Sequence, residues 1–136
     1  GMVYGVLASL GFATLENVLY VLEGGLDVAL LRAATSVPAH ACFGGLMGYF
    51  YAQAHFKGGG RKAYVLALIV PIIVHGLYDV PLFIIDTPDL DANAGLALFV
   101  VFLAVVITLI LVTRRLLLSM RREQDQLAPP IEPTGC

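Results

Sequence analysis

The chain has 136 residues, enough for one domain. Apolar side chains make up 59% of it and charged side chains only 13%, whereas soluble proteins average about 45–50% apolar and about 25% charged. A small soluble domain must cover most of its surface with polar groups, so this composition argues against an ordinary soluble protein and favours a membrane protein. The net charge of −2 comes without a basic patch or a long charge run, so we expect no nucleic-acid partner.

Four apolar segments are long enough to cross a membrane, since a hydrocarbon core of about 30 Å needs about 20 helical residues. These segments cover residues 2–22, 28–54, 63–85 and 94–112 approximately. The polar connections between them lie at 23–27, 57–62 and 86–91. We therefore predict an all-α fold, a polytopic membrane helix bundle of about four transmembrane helices. This bundle occupies residues 1–113, and we expect the charged, proline-containing segment 114–136 to be a disordered tail.

The distribution of basic residues predicts the orientation, because cytoplasmic loops of membrane proteins are enriched in lysine and arginine. In a four-span arrangement, seven of the eight basic residues lie on one side of the membrane: Lys57, Arg61, Lys62, Arg114, Arg115, Arg121 and Arg122. Arg32 lies toward the other side, together with the acidic connections. Both ends of this chain are therefore predicted to face the cytoplasm.

Ionisable residues deep in a membrane span cost about 2.5–3.5 kcal/mol each on insertion scales, so they usually mark function and face the bundle interior. Four such residues occur in three different spans: Glu16, His40, His75 and Asp79. At about 1.5 Å per residue, all four lie roughly 10–18 Å below the outer ends of their spans. We predict that they form one layer in the outer half of the membrane, with Asn17 and Arg32 beside them.

Small residues recur at every fourth position on the same helices and explain how these polar groups could meet. The repeat comprises Gly5, Ser9 and Ala13 in the first span and Ser36, Gly44 and Gly48 in the second. Faces of this kind let helix backbones approach closely. Each polar residue is therefore expected on or beside a packing face of its helix.

The sequence pattern allows more than one role for several of these residues. His75 and Asp79 are four positions apart and share one helix face, so either both contact one centre or Asp79 orients the His75 imidazole from behind. Arg32 either extends toward the membrane surface or pairs with Glu16 or a substrate carbonyl. His40, considered alone, would more often be an interhelical hydrogen-bond partner than a ligand.

Two histidines and two carboxylates from three helices suit a divalent metal, and Zn²⁺ in particular binds these groups and activates water. The spacing is not the compact His-Glu-x-x-His motif of soluble metalloproteases. Other functions could use the same residues. One is a proton- or ion-coupled carrier with the four groups as a relay. Another is a haem-binding membrane protein with His40 and His75 as axial ligands, although haem would prefer apolar walls to two carboxylates. A structural helper protein is a further alternative.

At these residues the sequence resembles the PrsW family of intramembrane proteases, which is related to the CAAX-processing protease superfamily. The resemblance covers about residues 2–85 and rests on three stretches: Gly11-Phe12-Ala13-Thr14-Leu15-Glu16-Asn17-Val18-Leu19-Tyr20, Arg32 through Pro38-Ala39-His40, and His75-Gly76-Leu77-Tyr78-Asp79. It implies that Glu16, His40 and His75 are the catalytic, metal-binding residues, with Asp79 and Asn17 in support. Asp79 is also a candidate fourth ligand, and Zn²⁺ is the expected metal.

The resemblance further implies a metallopeptidase of the bacterial plasma membrane that cleaves single-span membrane proteins, similar to an anti-sigma factor, near the outer half of the bilayer. The family also carries a Glu-Glu-x-x-Lys motif on an earlier span, expected to supply the catalytic acid/base. No Glu-Glu pair occurs in this chain. We therefore expect either a C-terminal fragment of a longer protein or, if Gly1 merely precedes a genuine Met2, a protein without its base. In both cases we expect the 136 residues alone to lack full activity.

Overall fold

The computed structural model of the chain describes residues 1–127. Within this range the chain forms four α-helices: α1 (Met2–Ala34), α2 (Ser36–Phe56), α3 (Gly60–Ile85) and α4 (Ala92–Leu127). The described residues contain no β-strand. Helices α1, α3 and α4 are each long and apolar enough to cross a membrane. The predicted fold class, an all-α polytopic membrane bundle, is therefore confirmed.

Helix α2 differs from the other three because it lies in the middle of the bundle. It packs against α1, α3 and α4, and ten of its 21 residues are buried. Its length of about 31 Å matches the hydrocarbon core, but its polar and small residues make it less apolar than the three helices that qualify as membrane spans. A helix that is covered by its neighbours does not need an apolar surface toward lipid.

The predicted turn at residues 23–27 is present as a break inside α1. Gly25 has φ 76° and ψ −165°, outside the helical region, and glycine adopts this conformation because it has no Cβ atom. Arg32, after the break, contacts Glu16, before the break. The second part of α1 therefore runs back along the first part in the opposite direction. A second break at Thr35 separates α1 from α2, where Pro38 cannot donate a backbone hydrogen bond and its ring crowds the preceding turn.

The small-residue faces of α1 and α2 meet as predicted. A Cβ atom added to Gly44 would lie 2.7 Å from the Ser9 Cβ and even closer to the Gly5 carbonyl oxygen. One added to Gly48 would lie 2.7 Å from the Gly1 carbonyl oxygen. These distances are shorter than real contacts, so only glycine allows the two backbones to approach this closely. The close approach holds the Glu16 half of α1 against α2.

The buried core lies between α2, α3 and α4 and supports the polar residues from one side. Its members are Ala39, Phe43, Leu46, Tyr78, Phe102 and Leu109. The rings of Phe43 and Tyr78 meet edge to face at 5.9 Å. Phe43 follows His40 by three positions, and Tyr78 immediately precedes Asp79. The core therefore fixes the helix faces that carry these two polar residues.

Helix α4 is longer than the predicted fourth span. Its 36 residues extend about 54 Å, well beyond a hydrocarbon core of about 30 Å. The expectation of disorder was therefore wrong for residues 114–127, because leucine, arginine, glutamate and glutamine are strong helix formers and extend an existing helix without a new nucleation cost. The rest of the predicted tail, residues 128–136, lies outside the described residues.

Candidate metal centre

Glu16 of α1, His40 of α2 and His75 of α3 converge on one point inside the bundle. His40 Nε2 lies 3.1 Å from Glu16 Oε2, and His75 Nε2 lies 4.0 Å from Glu16 Oε1. One possible ligand atom from each residue lies within 4.8 Å of the other two. The structure therefore brings together three predicted site residues that are far apart in the sequence.

These three side chains fit a divalent metal. Zn²⁺ binds histidine nitrogen and carboxylate oxygen at about 2.0–2.2 Å, so ligand atoms of one ion lie about 3–4 Å apart. The separations of 3.1, 4.0 and at most 4.8 Å need a side-chain adjustment of about 1 Å or less to reach this range. The His40 side chain is 2% exposed, whereas Glu16 and His75 are 23% and 25% exposed. The group is thus closed on the His40 side and partly exposed at Glu16 and His75.

Asp79 lies beside this group but is not one of its three members. Its Oδ2 atom lies 3.2 Å from His75 Nε2, the same ring nitrogen that faces Glu16. The Asp79 carboxylate therefore approaches His75 from the side of the centre, not from behind the ring. Of the two interpretations left open by the spacing, this geometry favours the one in which both residues face one centre.

Arg32 pairs with Glu16 and does not extend to the membrane surface. Its Nη2 donates to Glu16 Oε2 at 2.8 Å and to Ser36 Oγ at 3.1 Å, and its Nε donates to Asn17 Oδ1 at 2.7 Å. The guanidinium carbon lies 4.0 Å from the centre of the Tyr20 ring, close enough for a cation–π interaction. Because arginine is always charged, it compensates the Glu16 carboxylate in a region that water cannot fully solvate.

The sequence around these residues places the chain among known proteins. Residues 1–111 match the family described as PrsW family intramembrane metalloprotease. The chain belongs to this PrsW protease family. The match confirms the resemblance and, together with the three apolar helices, identifies an integral membrane protein.

Several proteins named Protease PrsW are similar to this chain. It is 44% identical over 80 residues to the one from Geobacillus kaustophilus, 45% over 80 residues to that from Shouchella clausii and 43% over 81 residues to that from Bacillus subtilis. Each alignment covers 58% of this chain but only 36–37% of the relative. The chain thus spans little more than a third of the length of these PrsW relatives. No solved structure matches it.

In this PrsW family member, two phenylalanine rings enclose the histidine pair. Phe43 stacks on His75 at 4.9 Å and meets His40 edge on at 5.5 Å. Phe12 lies 5.8 Å from His40 and 6.4 Å from His75. The two imidazoles themselves are 4.8 Å apart. Axial histidines of a haem stand on opposite faces of the porphyrin, whereas these rings are in contact, so the geometry speaks against the haem alternative.

Four residues of this environment were not among the predicted site residues: Phe12, Tyr20, Ser36 and Phe43. Their spacing was the available signal. Phe12 and Tyr20 lie four positions before and after Glu16, Ser36 lies four before His40, and Phe43 lies three after it. Residues three or four apart share a helix face, so the neighbours of a polar residue at this spacing are candidates for its surroundings.

A cavity of about 390 Å³ opens beside the PrsW-type histidines, between α1, α2 and α3. His40 and His75 form part of its wall, and the remainder is mostly small or apolar, including Gly44 and Ala67. Binding pockets for small ligands typically measure about 300–1,000 Å³. The centre is therefore connected to a space that can accept an apolar group.

Proposed function

We propose that this chain carries the metal-binding part of an intramembrane metallopeptidase. One observation supports this most strongly: Glu16, His40 and His75 arrive from three helices with ligand atoms within 4.8 Å of one another. Membership of the PrsW protease family supports peptide hydrolysis over the other uses of such a cluster. When bound, a divalent metal such as Zn²⁺ supplies polarisation of a peptide carbonyl and activation of water.

The residues of the chain have distinct tasks in this proposal. Glu16, His40 and His75 hold the metal, and Asp79 orients His75 or serves as a fourth ligand. Arg32, supported by Asn17, binds the Glu16 carboxylate and keeps it facing His40. The Phe12 and Phe43 rings cover the histidine pair and restrict water to the exposed side at Glu16 and His75, which strengthens electrostatic interactions at the centre.

Hydrolysis also needs a general base. The resemblance leads us to expect it from a Glu-Glu-x-x-Lys motif, which does not occur in the 136 residues. A segment with this motif would have to join the site from outside this sequence. The PrsW relatives have such additional length, since the alignments cover only 36–37% of them.

The proposed substrates are single-span membrane proteins, similar to an anti-sigma factor. An intact helix shields its peptide bonds, so the substrate must be locally unwound to be cut. The apolar cavity beside His40 and His75 suits a side chain of such a segment. The positions of the basic residues support cytoplasmic chain ends and a site in the outer half of the membrane, and the bacterial relatives support the bacterial plasma membrane.

Metal content by mass spectrometry on detergent-purified protein tests the proposal. We expect near-stoichiometric zinc in the parent chain and its loss in both His40→Ala and His75→Ala. His55→Ala is the matched control, because His55 contacts Tyr64 away from the centre, and it should retain the metal. A folded parent without bound metal, or a metal that survives both substitutions, would contradict the assignment.

The proton- or ion-coupled carrier remains the second candidate because the polar contacts form a continuous chain. Asp79, His75, Glu16 and Arg32 follow one another at 3.2, 4.0 and 2.8 Å. Ion uptake into proteoliposomes that Glu16→Gln abolishes, and that chelators leave unchanged, would favour the carrier. We expect no such uptake.

A further inference from the structure

One face of α4 combines an apolar cavity with a basic cleft, away from the metal centre. The cavity measures about 600 Å³ and lies between α2, α3 and α4. Its walls are almost entirely aliphatic and aromatic, including Phe50, Val74, Val105 and Leu116. This volume falls within the range of ligand pockets, and the cavity lies along the apolar part of α4.

The basic cleft lies at the end of this apolar part. It measures about 520 Å³ and is lined by Lys57, Arg115 and Arg122 together with Ser119 and Glu123, among others. Lys57 pairs with Glu123, which ties the connection between α2 and α3 to α4. Within residues 1–127, no acidic group forms an ion pair with either arginine. The cleft therefore presents two guanidinium groups outside any described ion pair, beside the Lys57–Glu123 pair.

The two spaces lie on one surface of α4. One face of α4 carries four residues at intervals of seven positions: Val105, Val112, Ser119 and Gln126. The two valines line the cavity, and Ser119 and Gln126 line the cleft. Leu116 lines the cavity, and Arg115 next to it lines the cleft. The surface thus changes from apolar to cationic where the apolar segment of α4 ends, and lipid headgroups are expected at the end of an apolar span.

We propose that this face of α4 binds one anionic phospholipid. Its acyl chain lies in the apolar cavity, and its phosphate lies between Arg115 and Arg122, with the Ser119 hydroxyl as a further donor. The planar guanidinium group donates two parallel hydrogen bonds to phosphate, and basic pockets at the cytoplasmic side of membrane helices bind lipid headgroups. Free phosphate could use the cleft but would leave the cavity unexplained, so the adjoining apolar volume argues for the lipid.

The test is a titration of the detergent-purified full chain with phosphatidylglycerol, counting bound lipids by native mass spectrometry. Arg115→Gln/Arg122→Gln should weaken binding about 30-fold, the combined effect of two basic residues. Arg114→Gln/Arg121→Gln removes the same charge from the same helix at positions outside the cleft, and it should leave binding nearly unchanged. Phosphatidylcholine with the same acyl chains should bind more weakly to the parent.

A second pair of variants tests the apolar cavity. Ala104 is exposed and lines the cavity, so Ala104→Phe should fill it and reduce lipid binding without disturbing the core. Ala97→Phe, on the same helix and also exposed, is the control. Equal losses in the two arginine pairs, or no loss in Ala104→Phe, would overturn the proposal. Displacement of phosphatidylglycerol by inorganic phosphate would assign the cleft to a soluble anion, and a lipid-free dimer would assign the face to a second copy.

Discussion

The Arg32 guanidinium and the His40 imidazole approach the same oxygen of Glu16, at 2.8 and 3.1 Å. The ion pair between Arg32 and Glu16 closes a helical hairpin over 16 residues of chain, with the break at Gly25 between them. A carboxylate inside a membrane span needs a compensating partner, and here that partner also aims the carboxylate at the histidines. This contact therefore contributes both to the folding of the hairpin and to the geometry of the candidate metal centre.

Arg32→Leu should destabilise the protein by about 1–3 kcal/mol, because it leaves the Glu16 carboxylate without its cation. The side chains are 16% and 23% exposed, and partial solvation keeps the loss below that of a fully buried pair. Unfolding of the detergent-solubilised protein measures the change. Glu16→Leu/Arg32→Leu removes both charges and should be more stable than Arg32→Leu alone; an equally unstable double variant would show that the pair is not coupled.

Gly44→Ala should separate α1 from α2, because its Cβ atom would lie 2.7 Å from the Ser9 Cβ and closer still to the Gly5 carbonyl oxygen. Overpacking of this kind costs about 1–3 kcal/mol, and the shift should also weaken zinc binding by moving Glu16 away from His40. Unfolding and metal content together provide the readout. Gly11→Ala is the control, since nothing lies within 4 Å of an added Cβ there; equal effects at both positions would contradict the packing argument.

Asp79→Ala should lower the zinc affinity of the centre about 10-fold or more, because it removes a carboxylate that can serve as a fourth ligand; even the loss of an outer partner typically costs about 10–100-fold. The observation behind this expectation is that Asp79 Oδ2 lies 3.2 Å from His75 Nε2, the ring nitrogen that also faces Glu16. Competition with a chelator measures the affinity. The control Asp86→Ala, at the end of α3, should leave the zinc affinity unchanged. An unchanged affinity in Asp79→Ala would show that Asp79 neither binds the metal nor orients His75.

The predicted orientation can be checked by thiol labelling in intact cells. In a background of Cys42→Ser and Cys136→Ser, a cysteine in place of Asp86 should react with a membrane-impermeant reagent, because the acidic connections are expected outside. A cysteine in place of Arg61 should react only after the membrane is permeabilised. The reverse pattern would place the basic loops outside.

That these three candidate site residues lie together could be predicted largely because each one is costly where it stands. Glu16, His40 and His75 interrupt apolar spans, and only a common partner offsets that cost. Phe12 and Phe43 were missed because phenylalanine is common in apolar spans, and only their spacing of four and three positions from Glu16 and His40 distinguishes them. The helical continuation of α4 beyond residue 113 was missed for a different reason, because a charged segment was interpreted without the helix that precedes it.

The sequence by itself determined the membrane class, the all-α fold built on long apolar segments and the resemblance to the PrsW family. These properties depend on composition and on the rise per residue along a helix, both of which are local. Only the tertiary structure decided that Arg32 pairs with Glu16, that Asp79 faces the centre, and that α2 lies in the middle of the bundle. These outcomes depend on how far each helix is rotated about its axis and how closely its neighbours approach, which packing between distant residues such as Gly5 and Gly44 controls.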